Sequence, residues 1–396
     1  MAAPVFDELI GQVELADTLS AAASDSAVGL THAWLFTGPP GSGRSTAALA
    51  FAAALECPRG GCGDCSVCHT VLGGTHSDVT RVIPEGLSIG VDSVRRLIQG
   101  ASRTPTSAPW RVLIVEDADR LTEAAGNALL KAIEEPPRAT VFLLCAPSDN
   151  PAEISITIRS RCRHKALRQP PVAAVSRLLM ERDGVSEREA RLYAGATSGH
   201  IGRARRLATD PTAQARRDAV LAIPRSLSGL SACFTAAAEL VETAEAEAAD
   251  SYAEQSDQER ADLETALGKG GTGKGATKAA RGSAGALKDL EKKQKTRDTR
   301  AQRDSLDRAL VDLADFYRDA LVTRLGAPVR LVHTDVSDVT RAAATKMSPE
   351  ALLRRINAIM DCRRSLARNV RPRIAVEAMM CKLWRSLHYY SVCGAT

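Results

Sequence analysis

Ala33-Trp34-Leu35-Phe36-Thr37-Gly38-Pro39-Pro40-Gly41-Ser42-Gly43-Arg44-Ser45-Thr46 is the stretch that decides the fold. An unbroken apolar run of strand length leads into a glycine-rich loop, and a helix-like run follows to Leu55. Strand, loop and helix in that order match the phosphate-binding pattern G-x-x-x-x-G-K-[ST] everywhere except the lysine. Gly38, Gly41 and Gly43 let backbone N–H groups turn toward phosphates, and the helix N-terminus adds positive potential. The Ser45 hydroxyl is placed to hold Mg²⁺. With Pro39, Pro40, Ser42 and Thr46 these residues form a candidate ATP-binding loop. Arg44 is the departure: it keeps the charge, but its planar fork is longer and differently hydrated than an ammonium, so the transfer geometry changes.

Val79 to Ile83, Val112 to Val115 and Thr140 to Leu144 are further apolar runs, as expected for strands covered on both faces of a parallel sheet. The third run of the chain ends in Glu116-Asp117-Ala118-Asp119. A P-loop ATPase needs one carboxylate here for Mg²⁺ and a second to orient the attacking water. Glu116 and Asp117 supply both, but in the reverse of the usual Asp-Glu order. A misplacement of about 1 Å costs on the order of a hundredfold in rate, so hydrolysis in this site is doubtful. After Pro170-Pro171, apolar residues recur at helical spacing (Val175, Leu178, Leu179, Leu192, Ala196). The predicted class is α/β followed by all-α. Gly268 to Gly275 also has P-loop spacing, but no apolar strand precedes it and Gly275 replaces Ser/Thr, so it reads as a linker.

The chain has 396 residues, room for two or three domains, and its 44% hydrophobic and 25% charged content excludes global disorder. Aromatics at 4% argue against a surface that stacks single-stranded bases. A net charge of +5 permits anionic partners without demanding them. The longest apolar run, Ala47 to Leu55, is too short to span a bilayer, and no basic-then-apolar leader opens the chain, so a cytoplasmic location and no membrane partner are expected. Cys57, Cys62, Cys65 and Cys68 fall in one glycine-containing stretch while the other six cysteines scatter. Four soft ligands this close suit a closed, structural Zn²⁺ site, with an iron–sulfur cluster as the alternative and His69 a bystander. Between Thr243 and Thr265 eight acids face one base, and between Gly268 and Arg300 ten bases face three acids. These arms allow either a paired helical hairpin or a flexible insertion, and the insertion is the favoured reading.

Phe6-Asp7-Glu8-Leu9-Ile10-Gly11-Gln12, His32 to Pro39, the four-cysteine module after the loop helix, Asn127 to Pro137 and Ser160-Arg161-Cys162 follow one another in a telling order. Over roughly residues 5 to 205 the sequence resembles the bacterial clamp-loader AAA+ family, the delta-prime and tau/gamma subunits of DNA polymerase III. The resemblance implies an AAA+ P-loop domain over 1–165 with its zinc module at 57–68, a helical lid over 166–210, and an all-α collar over 211–396 interrupted at 243–303. It also implies partnership with delta and tau/gamma subunits, ATP-dependent loading of a sliding clamp, and phosphate contacts to primer-template DNA. Arg95, Arg96 and Arg103 are candidates for those contacts, and ordinary surface charge explains them equally well.

Departures from the motor pattern point to one branch of the family. Besides Arg44 and Glu116-Asp117, Ala146 and Pro147 stand where the resemblance implies a sensor threonine. Gly202 holds the lid-arginine position, with Arg203 one residue on, about 100° around a helix. Together with an intact Ser160-Arg161-Cys162, they imply a delta-prime-like stator whose Arg161 acts as an arginine finger on ATP in a neighbouring tau/gamma subunit. A hydrolysing tau/gamma-like motor, a different AAA+ machine such as a branch-migration helicase, and a purely structural zinc adaptor are the alternatives.

Overall fold

The computed structural model describes residues 2–24, 30–101, 104–267 and 276–388. Arg103 and the glycine-rich stretch 268–275 lie outside them. The chain divides into two compact units, Met1–Ala208 and Thr209–Thr396.

The first unit runs α1 (Val13–Ser24), β1 (Ala33–Thr37), α2 (Arg44–Glu56), α3 (Ser66–Leu72), β2 (Val79–Val82), α4 (Val91–Ala101), β3 (Arg111–Val115), α5 (Glu123–Glu134), β4 (Thr140–Ala146), α6 (Ile156–Arg159), β5 (Arg163–Ala166), α7 (Val172–Asp183), α8 (Glu187–Ala196) and α9 (Ile201–Thr209). Its five strands form one parallel sheet in the order β2-β3-β4-β1-β5. Every residue of β1, β3 and β4 is buried, because these strands have neighbours on both edges and helices on both faces. This is an α/β P-loop architecture. It sets the loop after β1 and the acids after β3 at the carboxyl ends of their strands, where open α/β sheets bind ligands.

β5 is not among the apolar runs of the sequence, and Arg163 opens it as a fifth strand. An edge strand needs no apolar run, and charged side chains on it protect the open edge. Arg163 stacks its guanidinium 4.7 Å over the Trp34 ring, and His164 hydrogen-bonds the Thr37 hydroxyl at 2.6 Å. Gln12 links the N-terminal segment to this side of the sheet by donating to the Arg168 carbonyl at 2.5 Å.

The second unit is helical: α10 (Pro211–Ser226), α11 (Leu230–Ala266), α12 (Ala276–Leu325), α13 (Ser337–Lys346), α14 (Pro349–Ala367) and α15 (Pro372–His388). Leu306, Leu310, Leu313 and Phe316 recur at helical spacing on α12 and pack in one core with Leu352, Ile359 and Met380. Of the two forms open to 243–303, the described residues take the helical one, not the favoured flexible insertion. Arg297 donates to both Glu259 oxygens at 2.8 and 3.2 Å and to Ser256 Oγ at 2.8 Å, and it lies 4.9 Å from the Tyr252 ring centre. Glu259 is held at about 2, first by these bonds from Arg297. Gln302 reaches Glu245 at 2.9 Å further along. An acidic helix beside a basic one is stabilised by this complementarity, which local composition cannot weigh.

Asp78 secures the entry to β2. Its buried carboxylate accepts from the backbone N–H and hydroxyl of both Thr106 and Ser107 at 2.8 to 3.0 Å. Burial works to raise its pKa, but those backbone and hydroxyl donors outweigh it and hold the carboxyl well below the usual range. Such a group stabilises the fold above the ordinary carboxylate pKa and loses that contribution as pH falls through it. Asp78→Ala is therefore expected to lower the unfolding free energy by about 2–4 kcal/mol near neutrality. Denaturant titrations should show the gap to wild type closing as the solution is acidified below about pH 4.

Candidate functional site

The loop between β1 and α2 is shaped by its glycines. Gly41 and Gly43 take φ of +83° and +92°, the left-handed region that disfavours side chains. A Cβ on Gly41 would also lie 2.3 Å from the His200 ring, so a residue just ahead of α9 sits directly on the loop. Gly38 donates its N–H to the Pro147 carbonyl at 3.1 Å, which ties the loop to the end of β4. Thus Pro147, beside Ala146, contributes a backbone acceptor to the pocket.

The carboxylates after β3 diverge. Glu116 faces the loop: its Oε2 accepts from Ser45 Oγ at 2.9 Å, and its Oε1 is paired with Arg81 of β2. Asp117 takes the left-handed region (φ +48°), and its carboxylate lies 3.9 Å from Arg120. Asp119, given no role by the sequence, is more telling. Burial raises its pKa, the Asp117 charge raises it further, and Arg120 and Arg44 pull the other way. Buried side-chain atoms of three residues here have no hydrogen-bond partner: Ser42 Oγ, Arg44 Nη1 and Asp119 Oδ1. Buried polar groups are almost always paired, so the two donors among them, the Ser42 hydroxyl and the Arg44 guanidinium, fit an anionic ligand such as a nucleotide phosphate. Mg²⁺ fits less well, because both Glu116 oxygens are already engaged.

Other predicted residues lie further out. Arg203 is half-buried in the first turn of α9, and its backbone N–H donates to His200 Nδ1 at 3.3 Å. His200, not Arg203, is therefore what bears on Gly41. Arg161 follows α6, its side chain 39% exposed, paired with Glu134 at 2.6 Å and donating to the Thr157 carbonyl at 3.0 Å. Arg95 and Arg96 are exposed on α4, near Asp92 and Ser93. Arg81 escapes sequence reading because only the β2–β3 pairing, Arg81 opposite Ile114 and Val82 opposite Val115, brings it to Glu116.

The sulfurs of Cys57, Cys62, Cys65 and Cys68 all lie within 4.8 Å of one another. Cys57 Sγ is 3.7 Å from that of Cys62 and 3.6 Å from that of Cys65. A tetrahedral zinc with Zn–S bonds of about 2.3 Å needs edges of about 3.8 Å, so the four residues suit such a metal. Backbone N–H groups of Arg59 and Cys68 point at Cys57 and Cys65, each at 3.4 Å. Burial tends to raise the Cys57 pKa, yet the N–H groups of Cys62, Gly61 and Arg59 bring it to about 6. Burial pushes Cys68 up to about 12, and a bound cation favours its thiolate. Four thiolates would close the coordination shell, which suits a structural metal rather than a catalytic one.

A family model described as DNA polymerase III, delta subunit, matches residues 11–171, and another described as DNA polymerase III, delta subunit, C terminal, matches 301–383. Together they cover more than half of the chain. The chain belongs to the DNA polymerase III clamp-loader family. It is 36% identical over 172 residues to DNA polymerase III subunit delta' of Bacillus subtilis, covering 43% of this chain and 51% of that one. It is 38% identical over 146 residues to subunit delta' of Escherichia coli, covering 35% and 43%. It is 34% identical over 188 residues to subunit gamma/tau of Mycobacterium tuberculosis, covering 46% and 32%. The chain thus spans about half or less of the length of these curated relatives. Among solved structures, a gamma subunit-related protein of Thermotoga maritima aligns at 16% identity and a TM-score of 0.42, covering 94% of this chain and all of that one.

The cysteine cluster yields a direct expectation. Elemental analysis of the purified chain should find one tightly held zinc, absent from Cys65→Ser, whose unfolding free energy falls by roughly 3 kcal/mol or more.

Proposed function

We propose that this clamp-loader chain is a delta-prime-like stator, whose own pocket does not hydrolyse ATP and whose Arg161 serves a neighbouring subunit. The observation that carries this reading is the state of Glu116. With Ser45 on one oxygen and Arg81 on the other, both oxygens already have partners at the place where a metal ion or an attacking water would bind. Arg44, the exchanged Glu116-Asp117 order, Pro147 and the displaced Arg203 support the same conclusion from separate positions.

Arg161 supports the second half. Its guanidinium is half-exposed beyond α6 and is steadied by Glu134 and Thr157. A surface arginine so oriented suits an arginine finger, which places positive charge where it accumulates on a transferring phosphoryl group. The partners of this reading are delta and tau/gamma subunits, with the sliding clamp reached through them and primer-template DNA touched at its phosphates. The cysteine cluster holds structural Zn²⁺. Among the described residues no helix is long and apolar enough to cross a membrane, which is compatible with work in the cytoplasm at the replisome.

A tau/gamma-like motor is the second reading, favoured by the unpaired Ser42, Arg44 and Asp119 atoms, which call for a ligand. Arg161→Ala tests the stator reading in a loader reconstituted with delta and tau/gamma. Gel filtration should find the assembly intact, and hydrolysis at the site served should fall by roughly 10³-fold or more. Unchanged DNA-stimulated hydrolysis contradicts the role.

A further inference from the structure

We infer that Arg81 is a built-in substitute for Mg²⁺, and that the pocket binds a nucleoside polyphosphate without any metal. The inference rests on the stator reading and adds what that pocket holds. In a P-loop ATPase, the metal sits between the loop hydroxyl, the acid after the strand and the β- and γ-phosphates. Here Ser45 and Glu116 are both present and in contact, and the cation beside them is a guanidinium.

Its placement is built in. β2 and β3 pair in parallel, and Glu116 donates its N–H to the Val82 carbonyl at 3.0 Å, so backbone bonds set Arg81 against Glu116. Asp78 anchors the same strand at its start. A guanidinium stays charged at any relevant pH and grips a carboxylate through several donors. Mg²⁺ sheds its water reluctantly and has to displace that grip to enter.

The neighbouring charges agree. Cys145, buried at the end of β4, feels Glu116, Arg44, Asp117 and Arg81 together, which places two cations among the acids at this end of the sheet. Asp117 is near Arg120, and the pKa of Asp119 is raised, so its negative charge is disfavoured. Arg44 Nη1 and Ser42 Oγ remain buried and unpaired beside loop glycines able to present N–H groups to phosphate. The cationic and hydrogen-bonding parts of a polyphosphate site are present without a divalent ion.

The test measures binding of a fluorescent ADP analogue to the full chain in magnesium-free and magnesium-containing buffer. No chelator is used, because it would strip the cysteine cluster. Wild type should bind with affinities within about twofold in the two buffers. Arg81→Met should lose roughly tenfold or more without magnesium and recover when it is added. Arg81→Lys, which keeps the charge, should behave like wild type, and circular dichroism checks each fold. Wild-type binding that needs magnesium, no binding in either buffer, or an Arg81→Met variant indifferent to magnesium overturns the inference. Magnesium-dependent binding without turnover overturns it alone, whereas turnover of ATP by wild type overturns the stator reading.

Discussion

The contact of Glu116 with Ser45 and Arg81 is the interaction on which the functional account turns. A carboxylate at the end of a central strand gains its catalytic value from lone pairs left open to a metal or a water. When a guanidinium and a hydroxyl occupy both oxygens, the same carboxylate becomes a structural tie between β3, the loop helix and the edge strand β2. Phosphate-binding and phosphate-cleaving properties of a P-loop thereby separate. Under the proposed function, backbone N–H groups and Arg44 would serve the first, and a free acid is needed for the second.

The rest of the first unit holds that arrangement in register. Three fully buried strands fix the carboxyl ends of β1, β3 and β4 as a rigid platform. Gly41 admits the His200 ring, and Gly38 leans on Pro147, so the loop contacts both the segment before α9 and the strand end. Away from the pocket, four cysteines of a glycine-rich stretch lie close enough together to hold a metal ion. Arg161 is partly exposed and paired with Glu134.

Local patterns were legible in the sequence, and pairings across the fold were not. The P-loop and the cysteine cluster are contiguous, so residue type and spacing alone declare them. The buried strands announce themselves as apolar runs, but β5 does not, because an edge strand carrying Arg163, His164 and Lys165 lacks that signal. The acidic and basic arms of 243–303 showed complementary charge without showing that Arg297 meets Glu259. Arg81 and His200 became visible only through contact, one by strand register and the other by its approach to Gly41. Asp119 was in plain view beside two better-known acids, and only its burial and its unpaired oxygen set it apart.

The central claim is that this P-loop does not hydrolyse nucleotide, and the most direct measurement is steady-state turnover of Mg·ATP by the purified chain alone. The account predicts no phosphate release beyond that of a Ser45→Ala variant. Sustained release that Ser45→Ala abolishes contradicts it and makes the chain a motor.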